Sequence, residues 1–172
     1  MRRLQRRSLL SSTALLLGTV ALSACGFKLR SAPNFAFQTI AVTPETGGAV
    51  ATDVIRYFGD AIRPLAPAAG ALPPDVILDI QQELREKSVV GVNATGQVRE
   101  FQVRIRLRFR VRTPRGVELI APTEIVQQRD ISFNESAALA KEVEEGLLYR
   151  DMQNDIVQQL LRRLAAIKSL QP

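Results

Sequence analysis

From Phe101 to Arg112 the chain reads FQVRIRLRFRVR, with Phe101, Val103, Ile105, Leu107, Phe109 and Val111 alternating without a break with polar residues. A period of two is that of a β-strand. One face is therefore apolar, and the other carries Arg104, Arg106, Arg108, Arg110 and Arg112. The same test applied to the rest of the chain predicts a first strand over Phe35 to Val42, ended by Thr43, Pro44, Gly47 and Gly48. Val50, Val54, Phe58, Ile62 and Leu65 then recur at helical spacing, predicting a helix from Ala49 that Pro64 closes. A loop rich in Pro and Ala follows. Val76, Leu78, Ile80 and Leu84, alternating with Ile77, Asp79, Gln81 and Glu83, predict a second strand.

Gly91 to Gly96 supplies turn residues before the arginine strand and Thr113 to Gly116 supplies them after it. The segment from about Glu118 to Phe133 returns as a fourth strand, split or bulged near Pro122. Asn134 is placed to cap a long helix reaching about Ile167. Its apolar line runs through Leu139, Val143 and Leu147, then one residue later through Leu148, Met152, Ile156, Leu160 and Leu164. The order β-α-β-β-β-α predicts an α+β two-layer sandwich, a four-stranded, mostly antiparallel sheet with both helices on one face. The arginines then point into the uncovered face.

Charge separates the chain into two parts. Of the formal +6, four charges are Arg2, Arg3, Arg6 and Arg7, leaving 19 basic and 17 acidic residues from Cys25 onward. Residues 1–24 read as a secretory signal: a basic start, an apolar stretch, and small residues at the end. The apolar run is shorter than the ~20 residues of a retained spanning helix and is interrupted by Ser and Thr. Arg6-Arg7-Ser8-Leu9-Leu10 also resembles a twin-arginine export core, so the export route stays open. Leu22-Ser23-Ala24-Cys25 has the form of a lipobox, which marks Cys25 for acylation and residues 25–172 as a single tethered domain. Each buried methylene adds ~0.8 kcal/mol, so several acyl chains hold a protein on a bilayer. Gly26 stands where lipoproteins retained at the inner membrane carry Asp. By that resemblance the destination is the inner leaflet of the outer membrane, with the domain in the periplasm.

Arginines on alternate residues lie ~6.6 Å apart and repel by only about 0.6 kcal/mol at the dielectric of water. Two readings of the row are therefore open. It is a solvated face paired with Asp79 and Glu83 on the neighbouring strand, or it is a contact surface for an anionic partner.

Little else carries chemistry. The chain has no histidine and one cysteine, which leaves no metal cluster, imidazole base or internal disulfide to build, and it has no Gly-rich phosphate loop. The carboxylate pairs Asp151/Asp155 and Glu142/Glu145 read as the solvated face of a helix. No catalytic, metal or cofactor site is expected. Nucleic acid is not an expected partner either: the protein is exported, and Phe101 and Phe109 lie on the face opposite the charges.

Cys25-Gly26-Phe27-Lys28-Leu29-Arg30, Gly96-Gln97, Glu100-Phe101-Gln102, Arg129 to Asn134, Ala138 to Lys141, Asp151-Met152 and Gln159 to Leu164 occur in an order that resembles the LptE family of lipopolysaccharide-assembly lipoproteins. The resemblance implies a non-enzymatic protein that plugs the LptD outer-membrane β-barrel, helps it assemble and binds lipopolysaccharide. Lys141 matches a lysine implicated in that binding, whereas a second basic position falls on Ala94; Arg99, nearby, is the substitute its location offers. Arg104 to Arg112 would then face the polar barrel lumen or the phosphates of lipid A. The other reading is a periplasmic lipoprotein that scaffolds a different envelope complex without binding lipopolysaccharide.

Cys25→Ala is expected to leave the precursor without lipid and to move the protein out of the membrane fraction. Palmitate labelling with fractionation checks this, and persistent labelling would remove the lipobox reading.

Overall fold

The computed structural model describes residues 33–45, 47–66 and 69–170. The signal over residues 1–24 and the acylation site Cys25 lie outside the described residues. The elements are β1 (Ile40–Thr43), α1 (Ala49–Phe58), a 3-10 turn (Gly59–Ala61), β2 (Val76–Val92), β3 (Val98–Arg112), β4 (Glu118–Ser132), a second 3-10 turn (Glu135–Ala137) and α2 (Ala138–Ala165). The sheet order is β1-β2-β3-β4. β1 and β2 run parallel, joined by the α1 crossover, and β2, β3 and β4 form an antiparallel meander. The α+β sandwich expected from the order of elements is the fold observed.

β3 behaves as its alternation requires. Val103, Ile105, Leu107, Phe109 and Val111 are all fully buried, beneath Met152, Ile156, Leu160 and Leu164 of α2. Three of the predicted boundaries move. The first strand is shorter than Phe35 to Val42, because Phe35 and Phe37 leave the ladder to join Tyr57 and Phe58 in an aromatic cluster. The first helix stops at Phe58 rather than near Leu65, because Gly59 adopts φ +48° and donates its N–H back to the Ile55 carbonyl. Ile62 then makes an isolated bridge with Ile40. The second strand runs on to Val92, far beyond Leu84.

β2 carries the main departure. Ile80 lies opposite Phe109, but Gln82 lies opposite Arg108, so Gln81 is an extra residue in the ladder. A one-residue slip exchanges the faces of everything that follows. Leu84, expected with Val76, Leu78 and Ile80 in the core, is instead 37% exposed opposite Arg106. Glu83, Arg85 and Lys87, opposite Leu107, Ile105 and Val103, turn to the helix side. There the Glu83 carboxylate accepts the Val50 N–H at 3.2 Å in the first turn of α1. It lies so close that a Cβ on Gly48 would collide with it. Arg85 donates to Gln153 at 2.6 Å and Lys87 to Glu145 at 2.6 Å.

The apolar line of the long helix is also corrected. Leu139, Val143 and Leu147 are 80%, 66% and 53% exposed. Read backward from Met152 at alternating steps of four and three, the sheet-facing line passes through Leu148, Glu145, Lys141 and Ala138, all partly buried. One residue of offset turns a side chain by ~100° about the axis, which swings the leucine line off the sheet.

Loss of a side chain that accepts from the first turn of a helix costs ~1 kcal/mol. Glu83→Ala should therefore lower the free energy of unfolding in urea by that much, while Leu84→Ala changes it by less than about half as much. The opposite ranking would put the bulge elsewhere.

Candidate functional site

Two regions gather the polar side chains singled out in the sequence. On the uncovered face, Asp79 is the centre of one group. Its carboxylate accepts from Arg110 Nε and Arg112 Nε, both at 2.8 Å, and from the Thr43 hydroxyl at 2.8 Å. Glu86, brought to this face by the bulge, pairs with Arg106 at 2.6 Å. Glu83, the other expected partner of the row, is on the helix side. Arg104 donates to Gln102 at 2.8 Å. The Arg108 side chain, exposed between Gln82 and Glu124 in the ladder, makes no hydrogen bond or ion pair among the described residues. The Nε atoms of Arg104 and Arg106 are covered and have no acceptor there. Three of the five guanidiniums are thus held by acids of the same face, and the row retains spare donors.

The second region is the hairpin end, where the β2–β3 turn, the last residues of β4 and the start of α2 meet. Gly96, at φ +82°, closes the turn, and Asn93 Oδ1 accepts the N–H groups of Thr95 at 3.0 Å and Gln97 at 2.9 Å. Beside it a cavity of about 220 Å³ is floored by Phe101, Ile131, Phe133 and Ala138. Phe101 and Phe133 meet edge to face with centroids 5.2 Å apart. Lys87 lies over the Phe101 ring at 4.3 Å. On the other wall, Lys141 Nζ donates to Ser132 Oγ at 3.0 Å and pairs with Glu144 at 2.8 Å. The cavity has an apolar floor and a cation on each side, with Glu142 and Glu145 on its rim.

Arg99 reaches the same end but a different hollow, lined by Gln97, Val98 and Asn134 to Ser136. Its carbonyl accepts the Phe133 N–H at 2.7 Å, and its guanidinium donates to Gln97 at 3.4 Å. Ala94, where the family resemblance expects a base, is exposed at the tip of the turn. Lys87, Phe133 and Glu86 escaped the sequence reading. Lys87 and Glu86 needed the bulge to be seen, and Phe133 is legible only as a strand end and within the Arg129 to Asn134 motif, with no sign of its partner Phe101. A larger hollow, about 460 Å³, lies beside Gly47, Gly48 and Gln81 to Glu83. It is a by-product of the bulge, and its one acid, Glu83, is committed to α1.

Known proteins share this architecture. The family model LptE: Lipopolysaccharide-assembly matches residues 33–164. The chain is similar to the solution NMR structure of uncharacterized lipoprotein B from Nitrosomonas europaea, with 33% identity and a TM-score of 0.66, over 82% of this chain and 91% of that one. It shares its fold with rare lipoprotein B from Shewanella oneidensis (22% identity, TM-score 0.56, 74% and 92% covered). It shares it also with a minor lipoprotein from Acinetobacter baumannii (15% identity, TM-score 0.57, 77% and 94% covered). No curated protein matches the sequence.

The Asp79 cluster is sensitive to acid. Burial pushes the carboxyl up, but hydrogen bonds from Arg112, Thr43 and Arg110, with the charge of Arg112, outweigh it and hold it below its ordinary value of 3.8. A carboxylate depressed on folding stabilises fully above its unfolded value, and that contribution is lost as pH falls through the folded one. Asp79→Asn should cost ~2 kcal/mol at pH 7, the scale of a hydrogen bond to a charged group. The gap to wild type should narrow below about pH 4. Urea unfolding across that range reads both, and a gap independent of pH would mean that Asp79 acts by shape alone.

Proposed function

The chain belongs to the LptE lipopolysaccharide-assembly family and acts in lipopolysaccharide assembly, and from that premise we propose that it is a non-enzymatic outer-membrane lipoprotein, acylated at Cys25, that plugs an LptD-like β-barrel and binds lipopolysaccharide. The observation that carries the reading is the Lys141 cavity. An anionic amphiphile needs cations beside apolar surface, and Lys87 and Lys141 face each other across Phe101, Ile131 and Phe133. Phosphate oxygens would take Lys141 from Glu144, an exchange that a partly exposed ion pair permits at little cost. Arg99, one hollow away, is a further cation for a ligand with more than one phosphate.

The arginine row takes the barrel-facing role. The exposed Arg108 guanidinium, without a partner among the described residues, leaves donors for a polar lumen. Arg110 and Arg112 are already satisfied by Asp79, which favours a neutral, shape-matched contact over binding of a free anion. The same pairing supports the second reading, a lipoprotein that scaffolds another envelope complex. In that case the row needs no anionic partner.

A tagged mature protein recovered from outer membranes is expected to bring down a large β-barrel, and Arg108→Glu to reduce that recovery without lowering the melting temperature. Lys141→Ala should weaken lipopolysaccharide binding by about tenfold, the size of one charge-assisted hydrogen bond. Unchanged binding in Lys141→Ala would move the glycolipid elsewhere, and recovery of no barrel by the wild type would favour the scaffold reading.

A further inference from the structure

The cavity at the hairpin end does not carry the charge that suits a bare anion. Lys87 and Lys141 line it, and so do Glu142 and Glu145. Both lysines already hold a carboxylate: Lys87 Nζ donates to Glu145 at 2.6 Å and Lys141 Nζ to Glu144 at 2.8 Å. The Glu142 side chain, exposed on the rim, makes no hydrogen bond or ion pair among the described residues. Two lysines against three glutamates leave a formal charge of −1. The surrounding charges do not change that balance. Arg99 and Glu135 share the next hollow and offset each other. Arg129, on the helix side of β4, is paired with Asp155 at 3.1 Å, and Arg85 is turned to Gln153 and the Tyr149 ring. Glu100 and Asp130 are on the other face of the sheet from Phe101.

An anion that enters alone takes both lysines from their acids. Glu144, with its side chain 49% exposed and outside the lining, is released to solvent. Glu145 is not: its side chain is 21% exposed, and Glu142 lies three residues away on the same face of α2. Losing Lys87 leaves these two carboxylates side by side and next to the incoming charge. A ligand that brings a cation together with its phosphate removes the conflict, because the phosphate takes the lysines and the cation takes the acids.

We propose that the cavity selects a headgroup with an ammonium beside its phosphate, and that Glu142 is the residue that receives the ammonium. The inference rests on the reading of this cavity as the site of an anionic amphiphile and names the headgroup class. A phosphodiester with a primary amine adds no net charge, so the cavity keeps its balance. The three N–H donors of the ammonium can serve Glu142 and the released Glu145 together. A metal ion fits this role less well: hard cations take six or more oxygens, and no group of three acids able to hold one occurs among the described residues.

The test titrates the full mature chain, in a nonionic detergent, with lysophosphatidylethanolamine or lysophosphatidylglycerol, which differ only in the ammonium. Calorimetry is expected to show about fivefold tighter binding of the ethanolamine lipid, the size of one exposed ion pair at its upper end. Glu142→Gln, which removes no contact and should keep the melting temperature, is expected to bring the two lipids to parity. Lys141→Ala should weaken both. Equal binding by the wild type, or a preference that survives Glu142→Gln, overturns the proposal, and the phosphate site stands if Lys141→Ala still weakens both lipids. No effect of Lys141→Ala on either lipid overturns the site itself and the proposal with it. Competition against the bound ethanolamine lipid separates the sources of the headgroup. Lipopolysaccharide bearing phosphoethanolamine should displace it better than lipopolysaccharide without that group, which supports the proposal on the glycolipid. Displacement by phosphatidylethanolamine alone supports the headgroup chemistry and overturns the lipopolysaccharide reading of the cavity.

Discussion

A guanidinium buried without a partner costs several kcal/mol, and that penalty organises this domain around β3. Both helices lie on one side of the sheet, so every arginine of the strand must leave by the other. The reward is a central strand whose five inward side chains are fully buried. The consequence is a face that has to balance its own charge. Asp79 holds two arginines and Glu86 a third, and this pairing, more than solvent, is what lets a row of like charges sit on adjacent pleats.

The extra residue at Gln81 makes that balance possible. Before it, β2 presents Val76, Leu78 and Ile80 to the core and Asp79 to the arginines. After it, Glu86 reaches the arginine face while Glu83, Arg85 and Lys87 turn to the helices. The helix side of β2 thereby changes from an apolar surface into a polar seam, closed by the first turn of α1, Gln153 and Glu145. The Lys141 cavity is the end of that seam. Its lysines are held there because α2 and β2 both bring charged positions to a place where the core has run out.

The domain is therefore graded from end to end. At the end where β2 begins and β3 turns into β4, the helices and strands cover a continuous apolar core. At the hairpin end the core gives way to an aromatic floor under lysines and glutamates, with the Leu139, Val143 and Leu147 line turned outward.

Local periodicity is a property of the chain, so the alternation of residues 101–112, the return strand, the element order and the apolar line from Leu148 to Leu164 were legible in the sequence. The family resemblance, Lys141 included, was legible for the same reason: it lies in consecutive residues. Partnership across strands was not. Whether Glu83 or Glu86 meets an arginine depends on one extra residue in a hydrogen-bonded ladder, and a bulge leaves no mark in a run such as Gln82 to Lys87, which is polar on both faces but for Leu84. Leu139, Val143 and Leu147 look like core by spacing, and their exposure depends on which side of α2 the twisted sheet lies under. The sequence by itself determined which residues share a face. Only the tertiary structure decided what that face meets, because register and covering are set by neighbours distant in the chain.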